Sequence, residues 1–209
     1  MKITKFGHAC FLIEEGNARI LLDPGSFSTV PKLPDLSAVL VTHEHFDHLD
    51  VEVIRRLRLE NEAVQIITHA GVGTKLIEAG IAYTEIQDGE EIDVAGVTVR
   101  SFGVDHAPIY GPVPCQNTGF MVADRFFYPG DAFVVPPTRV EILALPTGAP
   151  WMKLAEAIDY AKQVDPKVII PAHDALYIAE FREGPIQRTI TANVAIPYRQ
   201  MSEGSVEEF

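Results

Sequence analysis

The chain has 209 residues, 47% apolar and 22% charged, a balance that excludes a disordered, collagen-like or coiled-coil protein. Its 17 Lys and Arg against 29 Asp and Glu leave a net charge of −12, which repels phosphate backbones and anionic lipid and argues against nucleic-acid and membrane partners. Two cysteines, Cys10 and Cys115, are too few for a disulfide framework, and no apolar stretch approaches the roughly 20 residues of a membrane span. The opening MKITKFGHACFLIEEG has the pattern of a strand and not of a leader, so the expectation is a cytoplasmic protein forming one domain over residues 1-209.

In chain order, Met1–Phe6, Ala9–Glu14 and Ala18–Leu22 are short apolar runs punctuated by turn signals, and Asp23-Pro24-Gly25 breaks the pattern. Ser37–Thr42 is a continuous apolar run, as expected of a strand buried on both faces. A dense polar cluster, His43 to Asp50, follows it. Helices are predicted over Val51–Glu62 and Val72–Ala79, with the strand Ala63–Thr68 between them. Ile81 to Val104 returns to β, and Asn117–Ala123 with Arg125–Tyr128 reads as a hairpin about Asp124. Val140–Leu145 is a strand. Trp151–Gln163 has helical apolar spacing behind Pro150, and Val168–Ile170 is a last buried strand. Gly204–Phe209 is expected to fray. Three apolar strands run out at a histidine, His43, His69 and His173, and in layered α/β proteins sites gather at such strand ends.

Three of the seven histidines fall within six residues, His43-Glu44-His45-Phe46-Asp47-His48. Imidazole with carboxylate is the donor set of borderline divalent metals, and an extended turn running into a helix can feed two adjacent ions. THEHFDH resembles the HxHxDH signature of the metallo-β-lactamase superfamily. Further motifs follow in that family's order: ILLDPG at Ile20–Gly25, Val104-Asp105-His106, Tyr128-Pro129-Gly130-Asp131 and Ile170-Pro171-Ala172-His173. The spacings, 58 residues from His48 to His106, 25 more to Asp131 and 42 more to His173, are also family-like. GHACFLIE and LPTGAPWM resemble the small single-domain branch that includes uncharacterised metal-dependent hydrolases and the ascorbate-phosphate lactonase group.

The resemblance implies an α/β (α+β) four-layer αββα sandwich, the metallo-β-lactamase fold. It implies two divalent ions, zinc first, with manganese or iron also suited. His43, His45 and His106 would hold one, Asp47, His48 and His173 the other, and Asp131 would bridge them. Two such ions, two carboxylates and a hydroxide leave a local charge of about +1, which suits a small, anionic substrate. The implied function is a dinuclear metal-dependent hydrolase, with Asp47, Asp131 and His8 as catalytic candidates, acting on a small ester, lactone or phosphodiester through a metal-bridging hydroxide. The alternatives are a mononuclear iron oxygenase of the same fold and a non-catalytic metal-binding protein. His8 is read as a proton carrier or substrate contact on one side and as a buried, hydrogen-bonded ring on the other. His69 is read as a structural or capping residue, Asp23 as a carboxylate behind the ligands or a turn-former, and Cys10 as core. Cys115 lies in the loop PVPCQN after His106 and is read as a neighbour of the site. Thr147, Gly148 and Lys153 are candidate substrate contacts at a helix N-terminus, and Trp151 is assigned to the pocket, the core or an interface. The sequence leaves a homo-oligomer open.

Overall fold

The computed structural model describes residues 1–209. The first half contains β1 (Lys2–Lys5), β2 (Phe11–Glu15), β3 (Ala18–Leu22), β4 (Ala38–Leu40), helix α1 (Val51–Glu60), β5 (Gln65–Thr68), helix α2 (Ala70–Glu78) and β6 (Thr84–Glu85). The second contains β7 (Glu91–Val94), β8 (Val97–Phe102), β9 (Gly119–Val122), β10 (Phe126–Tyr128), β11 (Ile142–Pro146), helix α3 (Leu154–Val164) and β12 (Val168–Ala172). Helical turns between Ala179 and Asn193 and a last strand, β13 (Val206–Glu208), complete it. One sheet has the order β13-β1-β2-β3-β4-β5-β6 and the other β12-β11-β10-β9-β8-β7.

Strand alternation builds three apolar layers. Side chains two apart point the same way on a strand. Phe11 and Ile13 of β2 therefore join Phe126 and Tyr128 of β10 in the cluster between the sheets. Leu12 and Leu21 face out from the first sheet against Ile54 and Leu57 of α1 and Val72 and Leu76 of α2. Phe127, Leu143 and Ile169 face out from the second sheet against Ala157, Ile158 and Ala161 of α3 and Ile190. Three layers of apolar contact separate four layers of backbone, which is the αββα order. No helix is long and apolar enough to cross a membrane.

Two sequence expectations are corrected. Gly204–Phe209 is paired, not frayed: β13 lies antiparallel to β1, with Lys2 opposite Glu208 and Thr4 opposite Val206. It satisfies the outer edge of β1, whose backbone groups would otherwise lack partners. Helix α3 begins at Leu154 and not at Trp151, because the Lys153 N–H donates to the Glu156 side chain 2.7 Å away and sets the helix start there. Trp151 is thereby left on a loop, free to turn toward the strand ends. The hairpin between β9 and β10 turns as expected, through Ala123 and Asp124, both left-handed at φ +57 and +54.

Candidate metal centre

The site lies where the strands of both sheets run out. Thr42 and His43 follow β4, His106 follows β8, Asp131 follows β10 and His173 follows β12. Backbone bonds lash these ends together. The His106 N–H donates to the Cys115 carbonyl, the Ala107 N–H to that of Asp131, the Thr118 N–H to that of Thr42 and the His173 N–H to that of His8. The turn bearing Asp131 needs glycine. Gly130 sits at φ +65, and a Cβ there would come within 2.2 Å of Asn117 Oδ1, the atom that accepts the Asp131 N–H.

All seven residues expected at the metals converge, in two adjoining groups that share no member. His43, His45, His106 and Asp131 form one, and Asp47, His48 and His173 form the other together with His8. In four of the rings, those of His43, His48, His106 and His173, one nitrogen is tied to the protein and the other is aimed inward. His43 Nδ1 bonds Thr42 Oγ1 at 3.0 Å, His48 Nδ1 bonds Asp23 Oδ2 at 2.6 Å, His106 Nδ1 bonds the Ala107 carbonyl at 2.5 Å and His173 Nδ1 bonds the Gly148 carbonyl at 2.7 Å. Each of these nitrogens carries the proton, because its partner's lone pair is the one offered; Thr42 Oγ1 spends its own hydrogen on Asp23. The opposite Nε2 atoms are therefore the ones left facing inward, where each can offer its lone pair to a cation or take up a second proton. Those of His48, His106 and His173 are buried without a hydrogen-bond partner, as is Asp131 Oδ1.

They crowd around one carboxylate. Asp131 lies 3.3 Å from His48 Nε2, 3.4 Å from His106 Nε2, 3.2 Å from His173 Nε2 and 4.0 Å from His43 Nε2. His43 Nε2 and His45 Nδ1 face each other at 3.1 Å. Buried donors with nothing to bind are costly in a folded protein. Four pointing at one another fit divalent cations, and the imidazole-carboxylate set fits zinc, manganese or iron. Protonation answers the same crowding electrostatically. Burial would depress His48 and His173, but Asp131, with Asp23 beside His48, outweighs it and raises them to about 10 and about 9. Burial would raise Asp131, but the charges of His48 and His173 hold it well below the usual carboxylate range. A cation would compete with the protons on these rings.

Behind the inward ring stands a set of holders. Asp23 is wholly buried and accepts the Thr42 N–H (2.7 Å), the Thr42 hydroxyl (2.6 Å) and His48 Nδ1. Trp151 donates its indole N–H to Asp131 Oδ2 at 2.7 Å. Neither contact shows in local periodicity. The Lys153-Glu156 capping pair is the one sequence signal that places Trp151 outside α3. The Cys115 thiol stands 3.9 Å from His45 Nε2, pushed up to about 11 by burial and by Glu44, and it belongs to neither donor group. Both cysteines are free.

A family model described as the beta-lactamase superfamily domain matches residues 2–173, a span that ends on the last inward histidine. The chain belongs to the β-lactamase superfamily. A protein of Mycobacterium tuberculosis is 36% identical over the whole of both chains. A UPF0173 metal-dependent hydrolase of Thermoplasma volcanium is 27% identical over 83% of each. Among solved structures, a metallo hydrolase of the archaeon Ignicoccus hospitalis superposes with a TM-score of 0.77 at 20% identity, covering 100% of this chain and 98% of that one. That likeness establishes the metallo-β-lactamase fold.

Other sequence candidates fall outside the superfamily site's cavity. His8 is wholly buried and absent from the wall. Its Nδ1 accepts the Ala175 N–H at 3.3 Å, which leaves the proton on Nε2, 3.2 Å from Asp47 Oδ2. Burial and the neighbouring rings push it down to about 4 against the pull of Asp47. Of the two readings of His8, the buried, hydrogen-bonded ring is the one these contacts describe: it lies against Asp47 and outside the cavity wall. Thr147, Gly148 and Lys153 do not line the cavity either. The Thr147 hydroxyl donates to the Ala172 carbonyl, the Gly148 carbonyl serves His173, and the amide of Lys153 is occupied by Glu156. His69 has the structural role expected. Nε2 bonds the Thr42 carbonyl at 3.0 Å, and Nδ1 accepts the Gly71 N–H as the cap of α2.

Proposed function

We propose that the chain is a dinuclear metal-dependent hydrolase. His43, His45 and His106 would hold one divalent ion and Asp47, His48 and His173 the other, with Asp131 a donor available to both. The observation that carries this reading is the convergence of partnerless buried donors on Asp131, each histidine fixed by a bond to its other nitrogen. Zinc is the first choice, and manganese and iron suit the same donors. Bound there, a pair of divalent ions supplies water acidified from a pKa of 15.7 to about 7 and positive charge for the anion that develops on the substrate.

The chain's residues do the rest. Asp131, anchored by the Trp151 indole, and Asp47, anchored by His8, are the carboxylates at the cavity floor that orient the attacking water and accept its proton. Asp23 and Thr42 fix the rings of His43 and His48, so the floor is preorganised before substrate arrives. The substrate is a small molecule with an ester, lactone or phosphodiester bond.

The test is metal content with turnover. Purified chain should carry two divalent ions and hydrolyse members of an ester, lactone and phosphodiester panel, with activity lost on chelation and regained with zinc or manganese. A single bound iron with oxygen uptake would replace this reading by an oxygenase. Stoichiometric metal without turnover on any panel would replace it by a metal-binding protein.

A further inference from the structure

The cavity over the site has a volume of about 350 Å³, near the lower end of small-molecule pockets. Its lining divides sharply. The floor is His45, Asp47, His106, Asp131 and His173; the walls are Phe27, Phe46, Ile109, Pro150, Trp151 and Leu176. No Lys, Arg, Ser, Thr, Asn or Gln borders it. The walls come from five separate stretches of chain, so no single element's amphipathicity accounts for them. Phe46 is 63% exposed, and Ile109, Leu176 and Phe27 are between 42% and 49% exposed, in a chain whose other large apolar side chains mostly fill the three core layers. Apolar surface gathered around a polar floor marks a binding site. The walls are also braced. Phe27 meets Phe46 edge-on at 5.3 Å, and Trp151 is held between Phe133 at 5.0 Å and its bond to Asp131.

We infer that the substrate is a neutral carboxylic ester, open or cyclic, bearing a small apolar group that lies against these walls. The inference rests on the hydrolase reading and narrows it. In the reaction, water's oxygen bonds to the acyl carbon, the acyl C–O bond breaks, and the departing oxygen takes a proton from that water, giving a carboxylic acid and an alcohol. A phosphate or carboxylate away from the reacting bond would be desolvated against the walls with no cationic side chain to meet it, inside a chain of net charge −12. Sugar or nucleoside hydroxyls would be left without partners there. The anionic substrate expected from the charge of the ions alone therefore does not fit the cavity as a whole.

The experiment has two arms. In the first, chain loaded with two zinc ions is assayed on p-nitrophenyl acetate, butyrate and hexanoate, on p-nitrophenyl hemisuccinate and on bis(p-nitrophenyl) phosphate. The expected result is kcat/KM rising about fourfold per added methylene until the cavity is full, and falling at least tenfold for the hemisuccinate relative to butyrate. Ile109→Lys, at a half-exposed wall position, should narrow or reverse that preference for the neutral ester. The second arm needs no turnover. Trp151 is the chain's one tryptophan, so its fluorescence reads occupancy while ethanol, butanol and hexanol are titrated; affinity should climb with chain length. Faster turnover of the phosphodiester or the hemisuccinate overturns the inference and leaves the hydrolase reading standing. Absence of turnover on every one of these substrates and on a simple lactone such as γ-butyrolactone, with two zinc ions bound, overturns the hydrolase reading. Alcohol affinity without chain-length dependence, as when a second copy already covers the walls, overturns the inference whatever the first arm shows.

Discussion

Asp23→Asn tests whether the site is held from behind. Asp23 is wholly buried and every partner donates to it: the Thr42 N–H to Oδ1, and the Thr42 hydroxyl and the His48 Nδ1–H to Oδ2. Asparagine keeps the volume but offers one acceptor and one NH2. Turned either way, its NH2 meets a donor, so at least one buried bond of 2.6–2.7 Å becomes a donor–donor contact. A buried donor stripped of its acceptor costs about 1–3 kcal/mol. Taking about 2 kcal/mol, melting should fall by about 4–8 °C for a chain of this size. The second consequence is local. His48 loses the charged acceptor that keeps its proton on Nδ1, and Thr42 loses the anchor through which it orients His43. Removing such a partner costs about 10–100-fold in metal affinity. Competition titration with a zinc chelator measures the affinity, and a thermal melt of the chelated protein measures the stability. Zinc affinity equal to wild type, with the melt shifted as expected, would refute the idea that Asp23 sets the ligand rings and leave it a folding residue only.

Asp131→Asn should weaken at least one metal and lower turnover by about 10²-fold or more while the fold survives; metal content by mass spectrometry and kcat on an active ester check it. His69→Ala should leave both near wild type and cost about 1 kcal/mol of stability through the lost cap of α2; loss of metal in this variant with retention in Asp131→Asn would invert the ligand assignment. Gly25→Ala should cost metal binding although residue 25 touches no ion. A Cβ there falls 2.0 Å from the backbone carbonyl of Asp47 and 2.4 Å from the amide of His48, and neither can retreat without moving the ligand loop; zinc titration and a melt read it. Lys5→Met should destabilise by about 3–5 kcal/mol, because it strands the buried Asp174 carboxylate 2.9 Å from the lost ammonium and unbonds the Pro171 carbonyl. Adding Asp174→Asn should recover part of that loss, read in the same thermal melts.

What the amino-acid order carries by itself is the chemistry that lies close along the chain. His43 through His48 occupy one turn, so their spacing suggests the proposed metal ligation without any knowledge of the sheets. His106, Asp131 and His173 are legible because each ends a strand in its own short motif, and the order of motifs matches the superfamily. The alternation that sorts Phe11 from Leu12 and Phe126 from Phe127 likewise predicts two-faced strands and hence layers. Expectations failed where the partner lies far away in sequence. Gly204–Phe209 gives no hint that the edge of β1, some two hundred residues earlier, is waiting for it. Trp151 looks helical by period, yet the Glu156 cap and the Asp131 carboxylate draw it onto a loop. His8, for which the sequence left two readings, carries no local mark of the Asp47 carboxylate and Ala175 amide that the fold brings to its two nitrogens. The apolar walls are the clearest case: Phe27, Phe46, Ile109, Trp151 and Leu176 are scattered single residues until two sheets bring their loops to one rim. Ligand identity is written locally because a metal needs particular atoms at short range. Pocket character is written only in the tertiary structure, because it is a property of the surface that separate segments enclose together.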